Sequence, residues 1–292
     1  MIGYMSDSGL REILRVPAGE PFDLSSVDPR STPGLPTVKG GADKAWGRAE
    51  LAAIGADLAS LQERLYAQAK VGGSEQRVLL LLQAMDCGGK DGATRRVAGT
   101  MNPQGLSIVG FGPPTAQERR HDFLWRIRRA LPEPGYIGVF NRSHYEDVLI
   151  VRVHGMVPEK VWSGRYDQIN AFEAELTGSG LTMLKVMLHI SRAEQKQRLS
   201  DRLDDPTKHW KYNPADVDER GHWDDYQAAY ADALGRCSTE AVPWHVVPAD
   251  RKWYRDWAVA TLLRETLTDL DPAYPPATFD VDTERERLLA TS

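Results

Sequence analysis

Residues 84–92 read AMDCGGKDG and follow directly on the apolar run VLLLL at 78–82. An apolar strand, a glycine-rich turn and a helix start together make a cradle for phosphate. The backbone N–H groups point at the anion, and the helix dipole favours its charge. Lys90 stands where the lysine of a phosphate loop reaches the transferred group, with Gly88, Gly89, Asp91 and Gly92 around it. The strict G-x-x-x-x-G-K-[ST] pattern fails twice, at Ala84 for the first glycine and at Asp91 for the hydroxyl residue. Asp86 adds a carboxylate inside a loop meant for anions. Alone it would repel phosphate; with Mg2+ between them it becomes a ligand, directly or through water. The plainer alternative is a glycine-rich turn whose aspartates cap the next helix.

A second polar run follows the apolar stretch YIGVF at 136–140 and reads Asn141-Arg-Ser-His-Tyr-Glu-Asp147. Ligands of an open parallel sheet lie outside the carboxyl ends of its strands, so this loop borders the first one. Asn141 takes the place where a Walker-B strand ends in Asp, and is a weaker ligand for metal or water. Arg142 suits a bidentate contact to phosphate, with a surface salt bridge as the alternative. His144 reads as a base only when taken alone. The seven histidines contain no H-E-x-x-H pair, which argues against a metal role.

These loops need elements to hold them. Leu51, Ile54, Leu58, Leu61 and Leu65 recur at threes and fours, which predicts a helix over 44–70. Strands are predicted over 78–82, 106–111, 136–140, 183–190 and 244–247. Helices are predicted over 90–101, 115–131, 165–177, 191–203 and 252–270. Thr115 with Glu118, and Ser191 with Glu194, read as capping boxes. Strands alternating with helices indicate one doubly wound parallel sheet. Residues 1–43, with Pro17, Pro21, Pro29, Pro33 and Pro36, read as an extended arm over the core. The domain spans 44–270, and the tail over 271–292, opening with Pro272, Pro275 and Pro276, is expected to fray. From Arg198 onward helical pattern breaks among Pro, Asp, Lys and Trp, which reads as a lid over about 203–223. A solvated loop is the alternative.

Of 292 residues, 41% are apolar and the net charge is −5, which fits a soluble globular protein and disfavours a nucleic-acid coat protein. Cys87 and Cys237 are too few for a disulfide scaffold or a four-cysteine zinc site. No 18-residue apolar run and no apolar signal core occur, so the expectation is a cytoplasmic protein without a membrane partner. Within this acidic chain, residues 90–165 hold 12 Lys and Arg against 7 Asp and Glu, a local excess able to steer an anion. Arg95 and Arg96, next to the phosphate loop, are best placed for it. Arg119, Arg120, Arg126, Arg128 and Arg129 share one predicted helix and cannot all face one groove.

The phosphate loop, the stretches NPQG and HDFLWRIRRALP, the loop FNRSHYEDVLIVRVHG and the late PWHVVPADRKWYR together resemble the polyphosphate kinase 2 family. The resemblance runs from LRVPAGEPFDL in the arm to the last predicted helix. It implies a P-loop, thymidylate-kinase-like three-layer α/β sandwich, with a central parallel five-stranded sheet and a helical lid. It implies Mg2+-dependent, reversible transfer of the terminal phosphate of polyphosphate to nucleotides. By position, Asp86 and Lys90 resemble the family's Walker-A pair, and Asn141 and Arg142 its Walker-B positions. The form of the Asn141–Asp147 loop resembles the branch that accepts both AMP and ADP. Glu146, with His144 and Asp147, then falls at the nucleotide; GMP and GDP are further candidate acceptors. The family's lid brings Arg198, Arg202, Lys208 and Lys211 towards the phosphates, and its members assemble as dimers or tetramers. Many members carry a lysine at or beside Gly112, and GFGPPT here has none. An ATP-dependent nucleoside or nucleotide kinase of the same fold is the alternative.

Overall fold

The computed structural model describes residues 9–38 and 41–291. Residues 1–8 and 39–40 of the expected arm, and 292 of the tail, lie outside the described residues. In chain order the elements are α1 (Leu10–Leu14), α2 (Lys44–Gly72), β1 (Arg77–Ala84), α3 (Lys90–Val97), β2 (Leu106–Gly110) and α4 (Trp125–Ala130). Then come β3 (Ile137–Asn141), α5 (Ile150–Val153), α6 (Glu159–Thr177), β4 (Leu181–His189), α7 (Arg192–Asp204), α8 (Ala215–Glu219) and α9 (Trp223–Cys237). β5 (Trp244–Pro248), α10 (Lys252–Leu270) and α11 (Val281–Leu289) complete the described chain.

The five strands form one all-parallel sheet in the order β2-β3-β1-β4-β5. All of β1 from Val78 to Ala84 is buried, as its unbroken apolar run requires for a central strand. Each fully buried leucine there contributes ~1.5–3 kcal/mol, which fixes the strand that launches the phosphate loop. Leu82 of β1 lies opposite Asn141 of β3, so the two polar loops leave the sheet side by side. One helical layer is built on α2, α3 and α10, the other on α5, α6 and α9. In α2, Asp43 caps the N–H groups of Ala45 and Trp46 at 2.8 and 2.9 Å, and Gly73 ends the helix at φ 71°. No helix among the described residues is long and apolar enough to cross a membrane.

Residues 9–38 run along the β5 side of the sheet. Val16 N donates to Trp244 O at 2.8 Å, and Tyr254 donates its hydroxyl to Pro33 O at 2.7 Å.

The elements differ from the sequence reading at several places: α1 lies in the expected extended arm, and α6 starts at Glu159 against the predicted 165. The predicted helix over 115–131 is a single 3-10 turn, Glu118–Arg120, followed after a break by α4. The capping pair does form, with Thr115 N on Glu118 Oε2 at 2.6 Å. The chain then stops because the Asp122 carboxylate takes the N–H of Leu124 at 3.0 Å, an Asx turn that competes with the helix. α3 gives way after Val97 to a 3-10 turn, Ala98–Thr100, so the helical stretch ends just short of the predicted 101, where Asn102 before a proline is extended. α9 was not predicted, although Trp223, Tyr226, Ala229, Tyr230, Ala233, Leu234 and Cys237 bury one face at helical spacing. The tail forms α11 where fraying was expected, capped by Asp280 on Thr283 N at 2.7 Å and burying nothing.

Candidate active site

After β1 the chain turns through Cys87 at φ 61° and Gly89 at φ 103° into α3. Gly89 serves two ends: it supplies the left-handed turn, and its missing side chain admits Arg255. The Arg255 guanidinium lies against Gly89 and Gly92; a Cβ at Gly92 would come within 2.8 Å of Nη2. Arg255 is itself fixed by Asp256, whose Oδ1 accepts from Nε at 2.9 Å and Nη2 at 2.5 Å. Lys90 is buried, and its Nζ donates to Ala84 O at 2.7 Å. Burial lowers the Lys90 pKa, and the neighbouring Arg142 charge lowers it further. Burial also pushes the Cys87 thiol up to about 11, so it is no thiolate nucleophile at neutral pH.

The loop after β3 meets this one directly. Asn141 Nδ2 donates to Asp91 Oδ1 at 2.6 Å, and Arg142 Nη2 donates to Asp86 Oδ1 at 2.8 Å. Arg142 adopts φ 65°, a rare conformation for a non-glycine residue, held by its N–H on Leu82 O at 3.1 Å. Burial works against the Arg142 charge, but Glu146 and Asp86 outweigh it and hold its pKa above the ordinary value. Glu146 lies behind them, its pKa raised by burial and restrained by Arg142 and Lys90. With Asp86, Arg142, Tyr226 and Tyr230, Glu146 borders a small cavity of about 150 Å3.

The main cleft over the phosphate loop has a volume of about 720 Å3. Twelve Lys and Arg residues line it against five Asp, in a chain whose net charge is −5. That segregation makes the cleft a site for an extended anion. Arg95, Arg96, Arg202, Lys208 and Lys211 all border it, and Arg202 bonds Asp216 at 3.3 Å and Lys211 O at 2.9 Å.

The family model described as Polyphosphate kinase 2 matches residues 41–274. The chain belongs to the polyphosphate kinase 2 family. An AMP/ADP-polyphosphate phosphotransferase of Meiothermus ruber is 46% identical over 254 residues, 87% of this chain and 91% of the relative. An ADP-polyphosphate phosphotransferase of Rhodopseudomonas palustris is 44% identical over 233 residues, covering 76% of this chain and 79% of that one. The crystal structure of polyphosphate kinase 2 from Arthrobacter aurescens TC1 superposes with a TM-score of 0.92 at 51% identity. That match covers 97% of this chain and 98% of the other.

Of the residues expected at the substrate of this polyphosphate kinase 2 cleft, His144 and Asp147 stand elsewhere and Arg198 lines the cleft with its donors already bonded. His144 is fully buried, with Nε2 at 3.2 Å from Glu173 on α6. Asp147 pairs with Arg165 at 3.1 Å and borders neither cavity. Both belong to a 3-10 turn, His144–Asp147, which sends successive side chains about 120° apart, three residues to the turn. Arg198 reaches the cleft floor, but all five of its N–H groups are committed. Nε bonds Glu194, Nη1 bonds Cys87 O and Gly88 O at 2.9 and 3.0 Å, and Nη2 bonds Ala249 O and Asp250 O. It holds the phosphate loop and has no donor left for phosphate.

Lys44, Arg48, Lys252 and Arg255 were missed by the sequence reading, and all line the cleft. Lys44 opens α2 with Arg48 one turn on, and Lys252 and Arg255 lie in the first turn of α10. Cations there oppose the helix dipole, so their presence was a readable sign of an anion.

Among the described residues, no group of three or more His, Cys, Asp or Glu side chains could hold a metal. Mg2+ on a phosphate substrate needs only one or two carboxylates. Asp86 fits: Arg142 takes one of its oxygens, and the other has no protein partner among the described residues.

Proposed function

We propose that this cleft transfers the terminal phosphoryl group of inorganic polyphosphate, reversibly, to AMP and to ADP with Mg2+. The observation that carries the reading is the twelve-to-five excess of cations along one cleft over a phosphate loop. A nucleoside triphosphate donor needs a base site and three phosphates' worth of charge. A row of cations running from α2 and α10 across α3 suits a longer polyanion.

Lys90 and the amides of the loop bind the transferring group. Arg142, fixed between Asp86 and Glu146, stabilises the charge that develops on it. Lys44, Arg48, Arg95, Arg96, Lys252 and Arg255 carry the polyphosphate. Arg202, Lys208 and Lys211 on the segment over 203–223 close over the phosphates as a lid. Asp86 would hold Mg2+ directly or through water, and the ion would neutralise phosphate charge. The acceptor is already a phosphate oxygen, so no strong base is required, in keeping with Asn141 at the end of β3.

The small cavity beside Glu146 takes the acceptor nucleotide. The Meiothermus and Rhodopseudomonas relatives bear names for AMP/ADP and ADP transfer, and a Pseudomonas aeruginosa relative, 34% identical over 227 residues, is named for GDP. The test supplies AMP, ADP, GMP and GDP separately with polyphosphate and Mg2+, beside ATP as sole donor. ADP and ATP formed from AMP with polyphosphate support the reading; turnover only with ATP supports the nucleotide-kinase alternative. Self-association as a dimer or tetramer belongs to the same reading and is checked by light scattering.

A further inference from the structure

Behind the Arg142 loop lies a cluster of ionisable groups that the chemistry does not touch. Lys185 of β4 is fully buried, and Glu173 of α6 is 1% exposed. Lys185 Nζ donates to Glu173 Oε2 at 2.5 Å, to Tyr145 Oη at 2.9 Å and to Cys237 O at 2.6 Å. Tyr145 in turn donates its hydroxyl to Glu173 Oε1 at 2.8 Å, and His144 Nε2 lies 3.2 Å from the same oxygen. Burial resists the Glu173 charge, yet Lys185 and His144 prevail and keep its pKa below the ordinary value. The cluster therefore holds a buried carboxylate and a buried ammonium, joined through the two residues that follow Ser143.

Such a pair is an unusual choice for stability. Desolvating two charges is costly, and well-packed apolar residues of the same volume serve as well or better. What the pair does supply is fixed geometry. Tyr145 is also held edge-on to Trp244 at 4.7 Å, and His144 stands edge-on to Phe172 at 5.6 Å. Between these anchors and β3 the backbone must pass through Arg142 at φ 65°. On the other side of the same turn Glu146 borders the small cavity. Gln83, with its amide oxygen towards Ser143, donates to Glu146 Oε1 at 3.1 Å. Two residues facing the core thus set the position of Arg142, which lines the main cleft, and of Glu146, which borders the small cavity behind it.

We infer that Glu173 and Lys185 are positioning residues for phosphoryl transfer. Through His144 and Tyr145 they hold the turn that presents Arg142 to the cleft and Glu146 to the small cavity behind it. A shift of the turn moves Arg142 off the transferring group while leaving the cations of α2, α3 and α10 where they are. The loss therefore falls on kcat and spares polyphosphate binding. This inference rests on the phosphoryl-transfer reading, and wild-type turnover, measured alongside, tests that reading separately.

The experiment compares Tyr145→Phe and the double variant Glu173→Gln/Lys185→Met with wild type in kcat, both KM values and melting temperature. Tyr145→Phe removes one hydroxyl and keeps the packing. It is expected to lower kcat about tenfold, a fraction of what a 1 Å misplacement of a reacting group costs. The polyphosphate KM stays within about twofold. The double variant removes both charges at similar volume, so it melts close to wild type while kcat remains at least tenfold down, by the same argument. A double variant that melts like wild type and turns over within twofold of it overturns the inference. So does a Tyr145→Phe variant whose kcat is unchanged, or one whose loss lies in the polyphosphate KM. If the double variant fails to fold, Tyr145→Phe alone decides.

Discussion

Around the loop over 86–92, buried Arg198 and Gln195 occupy the carbonyls of Asp86, Cys87 and Gly88. Over 206–222, by contrast, side chains stand mostly in solvent: Trp210 is 78% and Val217 51% exposed, and Lys208 bonds Asp205 on the surface. Both segments border one cleft. The loop must offer its N–H groups already aimed, because donors that have to reorganise during reaction stabilise it less. The outer segment must admit a polyanion and then exclude water, which calls for contacts cheap to break. One cleft thus has a wall clamped from within and a wall that stands mostly in solvent, tied by a few part-buried pairs such as Arg202–Asp216 and Arg220–Gln195.

The largest expected effect comes from the clamped side. Asp86→Asn removes the carboxylate proposed to hold Mg2+, and phosphoryl transfer should fall by ~3 kcal/mol or more, roughly a hundredfold, on the scale of other electrostatic site deletions. The melting temperature should stay near wild type, and normal turnover at ordinary Mg2+ would remove Asp86 from the chemistry. Next, Arg198→Met leaves four carbonyls without their donor. At ~1–3 kcal/mol for each buried acceptor left unmet, urea denaturation should show a loss of at least ~3 kcal/mol, with kcat falling alongside. If stability holds and only the polyphosphate KM rises, Arg198 is a substrate contact after all.

A smaller effect is expected between the walls. Glu146→Ala should lose more kcat/KM with AMP than with ADP, by ~1–2 kcal/mol if one hydrogen bond to a charged group is lost. AMP has fewer phosphates to anchor it and depends more on such contacts. A proportional loss with both acceptors would reduce Glu146 to a support for Arg142. The mildest change is on the outer wall, where Lys208→Ala/Lys211→Ala should raise the polyphosphate KM several-fold with no change in melting temperature. A fall in melting temperature would show that this segment is clamped like the loop.

How far the sequence revealed this cleft depended on distance along the chain. Asp86, Lys90 and the glycines form a continuous strand, loop and helix start, so their roles follow from local spacing. Arg142 follows from the strand that precedes it. Arg255 was not legible in the same way, because it meets Gly89 and Gly92 only after α10 has packed on α3. The family resemblance sends Arg198 to the phosphates as part of the lid, and neither resemblance nor spacing shows the carbonyls that take up its donors. The resemblance places His144 and Asp147 with Glu146 at the nucleotide, and the tight 3-10 turn sends them away from it. The sheet was read correctly since five apolar runs between helices leave few alternatives. The break at Asp122 and the apolar face of α9 were both visible in the residues, one as an Asx-turn former and the other as a repeat at threes and fours.

The polyanion path is the centre of the account, and the dependence of KM on ionic strength tests it most directly. Charges spread along an open cleft are screened by salt over about 8–10 Å at physiological ionic strength. On the proposed reading a polyphosphate chain would engage many of the cleft's cations at once, whereas AMP would bind beside Glu146 with one phosphate. The polyphosphate KM of the wild-type protein should therefore rise steeply with added salt, and far more than the KM for AMP. Equal salt sensitivity of the two would contradict a dedicated polyphosphate groove.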